Sequence, residues 1–163
     1  MKKLRFLVAA IALLCSTSMF AQADYPEKGY SGSVEFAYGI GIHDDWVADP
    51  SRINITTVHG YQFNPYLFVG AGIGVKYWLD YETISLPIFA DVRGTLPLGS
   101  SPVALFADFR VGYSPVDIYG VYVAPSIGVR LGRAKAATFA FGYEMTQNAT
   151  VGSTLNFRVG FEW

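Results

Sequence analysis

The chain has 163 residues, of which 52% are hydrophobic and 16% aromatic, while only 15% are charged and the formal net charge is −1. Such a charge-poor, apolar composition excludes a disordered chain, a basic nucleic-acid binder and a coiled coil. One cysteine excludes an intramolecular disulfide framework and a multi-cysteine zinc site, and the length suits one domain.

The first element is a leader. Lys2, Lys3 and Arg5 precede an apolar run from Phe6 to Leu14, and Ala21-Gln22-Ala23 follows small polar residues. This is the three-part pattern of a secretory signal peptide over residues 1–23, with the mature domain over 24–163. Cys15 falls in the discarded apolar segment, after Leu14 rather than after the small residue a lipoprotein anchor needs. Without Lys2, Lys3 and Arg5 the 12 basic residues fall to nine against 13 acidic ones, so the mature chain is mildly acidic. Beyond the leader no apolar stretch reaches the roughly 18 residues of a membrane-spanning helix.

Period-two alternation fills the rest. It predicts strands over 34–42, 53–63, 67–79, 84–92, 103–113, 121–131, 137–145 and 155–163. In the last of these Leu155, Phe157, Val159, Phe161 and Trp163 alternate with Asn156, Arg158, Gly160 and Glu162. The second fits less well, since Thr57 and His59 fall on its apolar face. Pro87 and Pro125 lie inside strands and are expected to mark bulges. Asn64-Pro65, residues 98–102 and residues 133–135 read as tight turns. The alternate connections, 43–51, 80–83, 114–117 and 146–152, are acidic or irregular. Each strand is about the length a tilted transmembrane strand needs. The expected fold is therefore all-β, an eight-stranded antiparallel up-and-down transmembrane β-barrel, with the three tight turns on the periplasmic side.

Eleven of the 17 glycines lie on the non-apolar face, together with Phe68, Trp78, Phe89, Phe106 and Tyr122. A narrow lumen needs small residues beside large ones, whereas a soluble exterior has no use for them. The apolar face is thus expected to meet lipid. Ten ionisable residues then point inward: Glu35, Asp91, Asp108, Glu144 and Glu162 against Lys76, Arg93, Arg110, Arg130 and Arg158. Buried charges persist when paired. Antiparallel pairing about the 98–102 turn sets Asp91 opposite Arg110 and Arg93 opposite Asp108, predicting two cross-strand ion pairs in a lumen closed by a charged network. Tyrosines and tryptophans cluster toward both ends, as in interfacial girdles.

The leader, the eight alternating strands and the terminal Gly160-Phe161-Glu162-Trp163 resemble the small OmpA/OmpX-type outer-membrane β-barrel family of Gram-negative bacteria. The resemblance covers residues 29 to 163. It implies that Phe161 and Trp163 form the assembly signal read by the outer-membrane insertion machinery. It also implies contact with outer-membrane lipid and lipopolysaccharide, and a monomer that binds no nucleic acid. The family holds anchors, surface-binding proteins and a few lipid-modifying enzymes, so membership supplies no reaction. Enzymes of that kind place a His with a Ser and an acid near the outer rim; here His43 with Ser85 or Ser114 are the residues of suitable type, and no motif fixes a base beside a nucleophile. No catalytic, cofactor-binding or metal-ligating residue is assigned. The expected role is structural or surface-interacting. The alternatives are a lipid-A or phospholipid-modifying enzyme and a soluble lipocalin-like carrier.

Overall fold

The computed structural model describes residues 28–42, 51–80, 82–116, 120–146 and 153–163. The leader, His43, the acidic residues Asp44, Asp45, Asp49 and Asp117, and the aromatic residues Trp46, Tyr81 and Tyr119 lie outside them.

The strands are β1 (Gly29–Ile42), β2 (Arg52–Asn64), β3 (Leu67–Trp78), β4 (Thr83–Ser85), β5 (Ile88–Pro97), β6 (Val103–Ser114), β7 (Gly120–Gly132), β8 (Ala136–Thr146) and β9 (Ser153–Glu162). All pairings are antiparallel between chain neighbours, and β1 pairs with both β2 and β9, so the sheet closes on itself. The two short segments β4 and β5 both pair with β3 and together make one stave, giving an eight-stranded barrel. Closure removes the open edge that a membrane would not tolerate.

The split between β4 and β5 falls at Pro87, and it corrects one expectation. Lys76 pairs with Ser85 and Ile73 with Ile88, a single uninterrupted register. Pro87 lacks the N–H that would complete the ladder, yet its carbonyl still accepts from Gly74 N at 3.0 Å. Pro125 likewise opens the β7–β8 ladder between Val123 and Ser126 with no change of register on either side. Neither proline marks a bulge. The irregularity that does shift register sits between Gln62 and Asn64, next to the β2–β3 turn.

The three tight turns are where the sequence places them, at Pro65–Tyr66, at 98–102 and at 133–135. They lie at the same end of the barrel as Gly29 and Trp163. The side-chain alternation sorts the two faces sharply. Phe36, Ile55, Phe109 and Ile127 stand outward with about half or more of their surface exposed, whereas Glu35, Asp91, Asp108 and Arg110 point inward and are buried. The usual order of a soluble protein, apolar inside and charged outside, is inverted.

Thr57 and His59, the two polar residues on the outward face of β2, satisfy one another. Thr57 Oγ1 donates to Ser33 O at 3.2 Å, which uses its one proton. His59 Nε2, 2.9 Å from Thr57 Oγ1, is therefore the donor of that pair, and Nδ1 makes a second hydrogen bond with Tyr30 Oη at 2.5 Å. The imidazole edge meets the Trp163 ring, centroids 6.3 Å apart, over Gly32. A Cβ on Gly32 would lie 3.0 Å from the Trp163 ring. Gly32 and Trp163 also exchange two backbone hydrogen bonds of 3.1 and 2.9 Å, extending the closing seam between β1 and β9 to the last residue.

Candidate functional site: the charged interior

Eight strands leave an interior just wide enough for side chains to fill. The large inward groups here are Phe68, Trp78, Phe89, Phe106 and Tyr122, and all but Trp78 lie against glycines of adjoining strands. A Cβ at Gly128 would lie 2.5 Å from Phe106 Cζ and 2.4 Å from Phe139 O. One at Gly112 would lie 2.7 Å from both Phe89 Cβ and Tyr122 Cε1. The aromatic rings occupy the volume that side chains on the adjoining strands would take.

Charges fill the rest in three levels. Nearest the turns, Glu162 accepts from Arg93 Nη1 at 2.7 Å and from Arg130 Nε at 3.1 Å. Arg130 Nη1 also donates to Gly132 O at 2.7 Å, tying this level to the β7–β8 turn. In the middle, Arg110 grips Glu35 with both terminal nitrogens, at 2.7 and 2.8 Å, the fork geometry that suits guanidinium and carboxylate. Arg93 and Arg158 reach the same carboxylate at 3.3 and 3.5 Å. Asp108 accepts from Arg158 Nη2 at 2.5 Å and from Ser126 Oγ at 2.6 Å, and Arg158 also contacts Ser126 Oγ.

At the far level, Glu144 holds Lys76 Nζ at 2.6 Å and Arg52 Nη2 at 2.9 Å. Both cations also lie over aromatic faces, Lys76 4.0 Å from the centroid of Tyr122 and Arg52 5.0 Å from that of Trp78. The Trp78 indole N–H donates to Ser85 Oγ at 3.0 Å, which engages that hydroxyl deep in the wall.

All ten inward ionisable residues named from the sequence stand on this face, and two particulars differ. The β5–β6 register does set Asp91 opposite Arg110 and Arg93 opposite Asp108. The first couple forms an ion pair at 3.3 Å. The second does not: Arg93 turns across the lumen to Glu162 and Glu35, and Asp108 is taken by Arg158. Closure brings partners from β1 and β9 nearer than the cross-strand neighbour, and the shorter contacts win. The other difference is Arg52, fully buried and just outside the strand expected over 53–63. It begins β2 on the same parity as Asn54, Thr56 and Val58, so the alternation of that strand, carried one step further, points it inward. With it, the described interior holds six cations and five carboxylates.

The space left among Lys76, Arg110, Glu144 and Arg158 is about 30 Å³, on the scale of one or two waters. Among the described residues no group of three or more His, Cys, Asp or Glu is arranged to hold a metal ion.

Together, closed antiparallel staves, an apolar exterior and a charged interior define a transmembrane-type β-barrel. No protein-family model and no curated protein matches the sequence. Among solved structures the chain is similar to a barrel from the de novo design of transmembrane β-barrels, at 13% identity and a TM-score of 0.51, over 86% of this chain and 98% of that one. It is also similar to the outer membrane protein Ail of Yersinia pestis in a phospholipid nanodisc, at 12% identity and a TM-score of 0.46, over 83% of this chain and all of that one. The first likeness establishes the fold.

Proposed function

We propose that the protein is a small integral barrel of the bacterial outer membrane with a structural or surface-interaction role, its lumen closed by the charged network and without catalysis. The observation that carries this reading is the interlocked interior: carboxylates and guanidiniums spanning the lumen at 2.5 to 3.5 Å, with a space of about 30 Å³ among Lys76, Arg110, Glu144 and Arg158. A conducting path would need a continuous column of water that these side chains occupy. The export leader supports delivery across the inner membrane, and the outward belt of Phe36, Ile55 and Phe109 supports residence in lipid. The terminal Phe161 and Trp163, stacked with centroids 6.3 Å apart, suit recognition by the insertion machinery during assembly. Outer-membrane lipid and lipopolysaccharide are the standing partners of a monomeric barrel that needs no cofactor.

Two measurements test this. Cell fractionation is expected to recover the protein in the outer membrane, in a band whose gel mobility changes on heating; recovery from the soluble periplasm would overturn the reading in favour of a lipocalin-like carrier. In planar bilayers the wild-type barrel is expected to give no discrete current steps, and reproducible steps would overturn the closed lumen.

A further inference from the structure

The outward surface carries a groove of about 820 Å³ across β5, β6, β7 and β8, within the size range of ligand pockets. Its floor is made by Gly94 and Ala107, which stand side by side on β5 and β6, and its walls include Leu96, Leu105, Ile127 and Phe139. The lining is almost wholly apolar.

Beyond one end of the groove lies a cationic turn. β7 and β8, which supply Ile127, Val129 and Phe139 to the groove, run on to Gly132 and Ala136, and these pair across the turn that carries Arg133 and Lys135. Arg133 Nη2 donates to Ser100 O at 2.7 Å, which draws the guanidinium over the β5–β6 turn, above the strands that form the groove floor.

The geometry points to a binding site for one anionic glycerophospholipid, with an acyl chain in the groove and the phosphate at Arg133 and Lys135. The inference rests on the membrane reading above and adds a specific lipid site in the leaflet on the tight-turn side. An acyl chain matches an apolar trough with a cationic turn beyond its end. A second copy packed in the same orientation would bring its own Arg133 and Lys135 against these, a like-charge contact that opposes pairing.

The test is native mass spectrometry of the barrel released from nanodiscs of equal phosphatidylglycerol and phosphatidylcholine. The wild type is expected to retain one phosphatidylglycerol, favoured about tenfold over phosphatidylcholine. Gly94→Phe is expected to lose the retained lipid while still folding, because a Cβ at Gly94 meets no atom closer than 3.9 Å and the ring projects into the groove. The double variant Arg133→Gln, Lys135→Gln is expected to keep a lipid and lose the headgroup preference. A lipid-free wild type, equal retention by Gly94→Phe, an unchanged preference in the double variant, or a dimer mass would each overturn the site. Failure of the wild type to insert into nanodiscs, with no heat-modifiable band, would overturn the membrane reading itself and the site with it; an inserted but lipid-free barrel overturns the groove alone.

Discussion

Glu144→Leu is expected to lower the free energy of unfolding by about 3 to 5 kcal/mol, measured by urea titration of the barrel in lipid vesicles. Glu144 is the only carboxylate within 4.0 Å of Lys76 or Arg52 among the described residues. Its removal leaves two buried cations with aromatic faces and the Asn156 amide oxygen, 3.1 Å from Arg52, as their remaining support. Cation–π attraction recovers about 1 to 2 kcal/mol at such sites, less than the cost of an uncompensated buried charge. Adding Lys76→Met to Glu144→Leu is therefore expected to regain part of the loss. Glu35→Leu provides the contrast. Although Glu35 touches three arginines, Arg110 keeps Asp91, Arg93 keeps Glu162 and Arg158 keeps Asp108. Redundancy should make the Glu35 variant the milder of the two. The reverse order would show that the middle level, not the far one, carries the greater share of stability.

Gly128→Val is expected to destabilise the barrel by about 3 kcal/mol in the same titration. Two effects oppose each other here. Valine is favoured in strands, on a scale that spans only about 1 kcal/mol. Against that, the added Cβ would meet Phe139 O at 2.4 Å and Phe106 Cζ at 2.5 Å. The carbonyl belongs to the paired strand and cannot withdraw without breaking the ladder, so overpacking wins. Gly94→Ala is the control: it adds the same atom on the outward face with nothing closer than 3.9 Å and is expected to be close to neutral. If Gly128→Val were equally neutral, glycine would not be making room for the lumen aromatics.

Much of this fold is legible in the sequence because one physical rule repeats in every strand. Period two assigns each side chain to a face, and a fixed turn then sets the register, as Asp91 opposite Arg110 illustrates. What the rule does not carry is distance across the lumen. Arg93 meets Glu162 from the far end of the chain because the sheet closes with a stagger, and that contact has no local signature. Arg52 is a different kind of omission: its parity was available, but an adjoining acidic connection disguised the start of β2. Pro87 and Pro125 show a third. A missing N–H implies a gap in the ladder, and only the pairings on both sides reveal that the register runs through it unchanged. His59 looked like an exception on an apolar face, and its bonds to Tyr30 and Thr57 explain how polar atoms are accommodated there.

The central claim is that the apolar face of the barrel meets lipid while the charged face is enclosed. Nitroxide labels on single cysteines at Leu105, Ala107, Phe109 and Val111, all outward on β6, test it in a bilayer, with a label at Ser100 in the turn as the aqueous reference. Collision with oxygen, which concentrates in hydrocarbon, is expected to exceed collision with a water-soluble nickel chelate at all four strand positions and to reverse at Ser100. Ready access of the nickel chelate to the four outward positions would contradict the account.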